Sequence, residues 1–346
     1  MLARFLWELR NRIMQGIIRP LKIVGGLILL LLLGLAALIM TVKAGWWNPS
    51  YEEVAAKHAN GPSKFVQVGE ARLHVRDEGQ GPIIIMMHSS MSNLRIYDEW
   101  ADKLKTDYRV IRFDWPPYGL SKDPRPSRGM PGIVELLEQF VEQEGLDKFT
   151  LVGSSSGSTI SVLYTAKHPE RVRALALSTL PLKAPPPHEN STLVDVMQYV
   201  HQNWTPNYLP RFYYQHTLSG LYGEPSRLKP ETVDWYYETN NIPGGFDRVR
   251  EYWAANQKAV WSKGAGDEAA KIKVPVLLQW GDRDYVLPRN RAGEAVAQFA
   301  NAPVKLLHYP DVSHYPMIEL PDETGDDLKA FIDEVHRSEN IPAKAK

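Results

Sequence analysis

The chain has 346 residues, enough for one large domain with a full core and an additional segment. Its 40 lysines and arginines balance 40 aspartates and glutamates, so no net charge draws it toward nucleic acid or acidic polymers. There is no cysteine, which excludes disulfides, thiolate metal sites and a cysteine nucleophile.

The chain opens on a tail holding Arg4, Arg10, Arg12, Arg19 and Lys22, with Glu8 as its only acid. Leu2, Phe5, Leu6, Leu9, Ile13 and Ile17 recur at helical spacing, which predicts a basic amphipathic helix over residues 1–22, lying on the inner leaflet. Residues 23–42 carry no charge and, as a helix rising about 1.5 Å per residue, span about 30 Å, one bilayer core. Lys22 and Lys43 close this stretch, and Trp46 and Trp47 stand where an aromatic belt sits. We read 23–42 as a single-pass anchor in the lipid bilayer. The positive-inside bias puts the N-terminus in the cytoplasm and the rest outside it, periplasmic or extracellular. The competing reading is a cleaved signal peptide. Against it stand the length of the run and the poor small-x-small site at Val42-Lys43-Ala44.

Residues 43–63 read as a polar linker with one short helix. Strands follow at 64–68 and 72–76, paired around a Gly69-Glu70 turn. Apolar runs then recur at 82–87, 108–113, 149–152, 173–177, 274–280 and 304–308. Helical stretches at 96–106, 133–143, 156–167, 292–299 and 323–337 alternate with them. This is the pattern of an α/β fold with a doubly wound, mainly parallel sheet, its core over 64–183 and 271–340. Residues 184–270 break the rhythm. They open on Pro185-Pro186-Pro187, lack a strong strand and carry fourteen aromatics from Tyr199 to Trp261, so they read as a helical cap.

Gly153-Ser154-Ser155-Ser156-Gly157 matches G-x-S-x-G between an apolar strand and a helical stretch, the setting a nucleophile elbow requires. A phosphate loop would need Lys where Ser158 stands. A serine needs a base, and the base an orienting acid, which in this architecture follow in the order acid, then histidine. Asp284 lies just past the run 274–280, and His314 just past 304–308. Ser155, Asp284 and His314 therefore fall at the C-terminal ends of strands, where the sites of parallel sheets gather. Asp282 and Asp311 compete as the acid; Asp284 is preferred because a longer loop brings it over the sheet edge. His88 precedes the serine and so has the wrong order for the base. The amide of Ser156, next to the nucleophile, is one expected oxyanion donor, and the amide of Ser90, in the loop after 82–87, the other.

These segments resemble the α/β-hydrolase superfamily, in its branch with a helical cap, over about residues 64–338. PIIIMMHSS is similar to the family's strand and oxyanion loop, YRVIRFDWPPYGLSKDP to its D-x-P-x-x-G-x-S segment and LVGSSSGS to its elbow. PVLLQWGDRDYVLP is similar to its acid turn and HYPDVSHYPMIELPDE to its histidine loop. The resemblance implies Asp284 as the acid and places the cap over the active site. Two departures stand out: Ser89 replaces the usual glycine after the loop histidine, and Gly157-Ser158 stands where the family usually has two glycines after the elbow.

A serine hydrolase of hydrophobic small-molecule esters follows as the expectation, with a Ser-His-Asp triad, an acyl-enzyme and no cofactor or metal. C–C bond or lactone hydrolysis by the same triad, and a catalytically silent membrane-tethered binding protein, are the alternatives.

Overall fold

The computed structural model describes residues 1–185 and 191–340; Pro186 and Pro187 of the proline run lie outside these residues. Leu2–Lys43 is one helix of 42 residues, α1, so the basic tail and the apolar stretch join without a break. It contains Pro20, which removes one intrahelical hydrogen bond without ending the helix. The helix is long and apolar enough to cross a membrane, and its apolar stretch is not buried against the rest of the protein.

Eight strands form one sheet: β1 (Ser63–Val68), β2 (Ala71–Glu78), β3 (Ile83–Met87), β4 (Arg109–Phe113), β5 (Phe149–Ser154), β6 (Val172–Ser178), β7 (Val276–Gly281) and β8 (Val304–Tyr309). Their order is β1-β2-β4-β3-β5-β6-β7-β8. β1 and β2 pair antiparallel at one edge, β2 meets β4 antiparallel, and every later pairing is parallel. The central strands read as unbroken apolar runs because both faces are covered. Ile85, Met87, Leu151, Leu175 and Leu278 pack on one side, while Ile84, Met86, Val152, Ala176 and Leu277 pack on the other.

The helices after α1 are α2 (Tyr51–His58), α3 (Asp98–Leu104), α4 (Met130–Gln143), α5 (Ser156–Lys167), α6 (Thr192–Asn203), α7 (Arg211–Gly220), α8 (Pro230–Asn240), α9 (Gly245–Asn256), α10 (Gly266–Ala269), α11 (Asn290–Gln298), α12 (Pro316–Glu319) and α13 (Pro321–Asn340). Residues of α4, α5 and α11 cover the first face, and those of α3 and α13 the second. Between β6 and β7 lie α6–α10 and no strand among the described residues. Tyr214, Leu218, Trp235, Tyr236 and Phe246 of this insertion extend the second core layer toward Tyr315 and Met317.

The segment after α1 is docked on the cap. Ser50 and Glu53 form a capping box that starts α2. The Trp47 ring lies 6.4 Å from that of Tyr208, and Asn48 Nδ2 donates to the carbonyls of Asn207 and Asn241, both at 2.7 Å. Lys57 and His58, at the end of α2, both reach the carboxylate of Glu238 on α8.

Candidate active site

β5 runs fully buried into Ser155, the N-cap of α5. Ser155 has φ 49° and ψ −118°, a region that costs a non-glycine residue about 1–3 kcal/mol. Close backbone packing imposes this turn. A Cβ at Gly157 would sit 2.1 Å from the Met87 carbonyl oxygen, and one at Gly153 would sit 2.6 Å from Ser158 Cα. Both glycines of the motif are therefore required by the approach of β3 and α5. Ser158, where the family usually has a glycine, fits fully buried and donates its hydroxyl to Ser178 O at 3.0 Å.

Asp284 and His314 are brought together past the ends of β7 and β8. Asp284 Oδ2 accepts from His314 Nδ1 at 2.8 Å, and Oδ1 accepts the amides of Val286 and Leu287 at 2.8 and 2.9 Å. A carboxylate only accepts, so Nδ1 carries the ring proton and Nε2 is left as the basic nitrogen. Gly281 lets the two loops touch, since a Cβ there would meet Ser313 O at 2.1 Å. The other acids are engaged elsewhere. Asp282 binds His308 at 2.6 Å and Arg289 at 2.8 Å, and Asp311 binds Arg283 on the surface.

Ser90 and Ser156 also meet, their hydroxyl oxygens 2.7 Å apart. The loop carrying Ser90 does not need a glycine at Ser89. The left-handed residue is Met91, two positions later, at φ 63°. Ser89 is buried, with its hydroxyl 3.4 Å from that of Tyr315. His88 is fully committed to this loop. Trp115 N–H donates to its Nε2 at 3.1 Å, so its Nδ1 carries the proton and donates to Ser89 O at 2.7 Å. Burial holds the His88 ring down to about 4, so it stays neutral.

A cavity of about 230 Å³ has Ser155, His314, Ser90 and Ser156 in its wall. Five of the cap aromatics join them: Tyr213, Tyr214, Tyr236, Trp253 and Trp261, with Leu218, Leu221 and Val286 between. Among the described residues no lysine or arginine lines it. Arg211, Arg227, Arg248 and Arg250 of the cap are paired with Asp234, Glu319, Glu251 and Asp247.

The model of the α/β-hydrolase fold matches residues 82–321, more than half of the chain. The chain belongs to the α/β-hydrolase fold family. This α/β-hydrolase is 24% identical to human monoacylglycerol lipase ABHD6 over 292 residues, covering 76% of the chain and 78% of the relative. It is 26% identical to Lipase 3 of Moraxella sp. over 278 residues, covering 74% and 79%. Among solved structures it superposes on a bacterial membrane phospholipase A with a TM-score of 0.67 at 23% identity, covering 91% of this chain and 99% of that one.

Several contributors to the site of this α/β-hydrolase carry no sequence motif. The amide of His314 donates to Leu221 O in the cap at 3.1 Å. Glu319, buried, accepts the amides of Ser313, Gly223 and Glu224 and so ties the histidine loop to the cap. Asn240 donates to Met91 O at 2.7 Å. A loop histidine and a nucleophile elbow have short patterns; these partners come from distant loops and are visible only once the chain is folded.

Proposed function

We propose that the protein hydrolyses carboxylic esters of hydrophobic small molecules with Ser155 as nucleophile, His314 as base and Asp284 as the group that orients it. Its α/β-hydrolase membership and its lipase relatives support the ester-hydrolase class. The observation that carries the residue assignment is the strained Ser155 and the Asp284-bound His314 in the wall of one apolar cavity. Ser155 attacks the ester carbonyl while His314 Nε2 takes its proton, and the carbonyl oxygen becomes an oxyanion held by the amides of Ser90 and Ser156. His314 then protonates the departing alcohol, leaving an acyl-enzyme. A water gives its proton to His314 and attacks the acyl carbon, which releases the acid and restores Ser155. Asp284 stabilises the imidazolium formed in both halves.

The aromatic wall without a cation suits uncharged acyl groups better than dicarboxylates. Each further buried CH₂ contributes up to about 0.8 kcal/mol until the cavity is full. Measuring kcat/KM on p-nitrophenyl esters of increasing acyl length tests this, and a profile that is flat or falls from acetate onward overturns it. A panel of lactones and C–C substrates separates ester hydrolysis from the other reactions of the same triad. The anchor reading assigns residues 23–42 to the membrane and the catalytic domain to the extracytoplasmic side. Carbonate washing should leave the full-length protein in the membrane pellet, whereas a mature chain lacking this segment would identify a signal peptide.

A further inference from the structure

Met91 follows the proposed oxyanion residue Ser90 and holds a left-handed backbone at φ 63°. Glycine adopts that conformation freely, whereas a methionine relaxes out of it unless its surroundings hold it. The holder comes from the cap. Asn240, at the end of α8 and only 9% exposed, donates from its carboxamide nitrogen to Met91 O at 2.7 Å and to Tyr236 O at 2.9 Å.

The neighbours of Asn240 explain why it is fixed. Thr239 Oγ1 lies 3.5 Å from Asn93 Nδ2, further along the same loop. Asn241, fully buried, exchanges two hydrogen bonds with Leu209: its Oδ1 accepts from Leu209 N at 2.9 Å and its Nδ2 donates to Leu209 O at 3.0 Å. The Asn241 carbonyl accepts from Asn48, in the segment that follows α1. Three consecutive residues at the end of α8 thus bind the loop of Ser90, the connection between α6 and α7, and the membrane-proximal segment.

We propose that Asn240 is a positioning residue of the oxyanion loop: its carboxamide holds Met91 in the left-handed turn that keeps the Ser90 amide aimed at the carbonyl under attack by Ser155. The inference rests on the ester-hydrolase reading above. It makes the cap a working part of the catalytic machinery as well as a cover, because a cap that lifts away carries Asn240 with it and releases the loop.

The test uses full-length protein in detergent micelles with a short p-nitrophenyl ester, comparing Asn240→Ala, Met91→Gly, the two combined and Ser155→Ala. Loss of an entire oxyanion donor lowers kcat by about 10²–10³-fold. A loosened loop should cost less, about 10-fold or more in kcat for Asn240→Ala, with KM within about twofold and labelling of Ser155 by a fluorophosphonate slowed in proportion. Glycine at position 91 occupies the left-handed region unaided, so adding Met91→Gly to Asn240→Ala should recover most of the lost kcat relative to Met91→Gly alone. A loss through general destabilisation would not be recovered in this way, and thermal melting of each variant separates the two. An Asn240→Ala enzyme with unchanged kcat, alongside an inactive Ser155→Ala, overturns the proposal and leaves the triad assignment standing. A loss that Met91→Gly does not recover, with lowered melting, also overturns it. Undiminished turnover by Ser155→Ala would overturn the underlying reading instead.

Discussion

The protein contains two buried histidine–aspartate pairs, each with a half-buried serine nearby, at different places on the same sheet. In one, His314 is bound through Nδ1 to Asp284 at 2.8 Å and shares a cavity with Ser155. In the other, His74 on β2 is bound through Nδ1 to Asp114 at 2.8 Å, and its Nε2 lies 2.9 Å from Ser63 Oγ on β1. Both histidines are held through Nδ1 by a buried aspartate, and the surroundings of the two pairs differ. Ser63 also accepts from Arg76 Nε at 3.1 Å and sits in regular strand pairing, opposite Arg76 in register. Asp114 further accepts the amides of Leu94 and Leu120, so that pair staples β2 to the loops after β3 and β4. Ser155 instead stands at a strained turn on a helix N-terminus, with apolar walls around it. The two Asp–His pairs thus differ in setting: His74 meets a hydroxyl already engaged in a strand staple, whereas His314 lines a cavity together with Ser155.

The largest effects should separate the two neighbourhoods by kind. Ser155→Ala or His314→Ala should lower kcat by about 10⁴-fold or more, with melting little changed, because each removes a member of a unit that acts together. His74→Ala should do the reverse. It leaves the Asp114 carboxylate buried without its ring partner, so a loss of about 3–5 kcal/mol in urea-unfolding stability is expected, with kcat per folded molecule retained. A matched pair of acids sharpens the contrast. Asp284→Asn should cost about 10⁴-fold in kcat, as expected when the ring loses its orienting carboxylate. Asp282→Asn, whose side chain pairs with His308 and Arg289, should leave kcat within about twofold. Similar kinetic losses in both variants would break the assignment.

A third histidine supplies the smallest effect. Burial holds His88 down to about 4, well below its ordinary value near 6.5. Above 6.5 the ring is neutral folded and unfolded, and nothing changes with pH. As pH falls from 6.5 toward 4, the unfolded chain binds a proton that the folded chain refuses, so stability falls, by about 3 kcal/mol in all, and levels off below 4. Unfolding curves of the wild type and His88→Asn over this range check it: the variant, whatever its absolute stability, should lack this component of the slope. Identical slopes would contradict it.

How much of this was legible before folding differs by feature. The parallel strands were, because strands buried on both faces read as apolar runs, and the antiparallel pair at the edge followed from its turn. Ser155, Asp284, His314, Ser90 and Ser156 were legible as candidates because each sits in a short local pattern at a strand end or elbow. Asp282 competed with Asp284 because neighbouring carboxylates in one loop look equivalent in sequence, and Asp311 because it stands beside His314 in the next loop; their ion pairs with His308, Arg289 and Arg283 appear only in the folded chain. Asn240 was not legible at all. An asparagine at a helix end reads as a cap, and its contact with Met91 spans 149 residues. The docking of residues 47–58 on the cap was hidden for the same reason: it is made of one ring contact and of single polar side chains meeting distant carbonyls and one glutamate.

The central claim is that Ser155, and not Ser63 beside the other aspartate-bound histidine, is the nucleophile. Full-length protein treated with a fluorophosphonate probe and analysed by peptide mass spectrometry tests it directly. A stoichiometric adduct is expected on the peptide containing Ser155, none on the peptide containing Ser63, and no adduct at all in folded Ser155→Ala. Folded wild-type protein that stays unlabelled, or an adduct on Ser63, would contradict it.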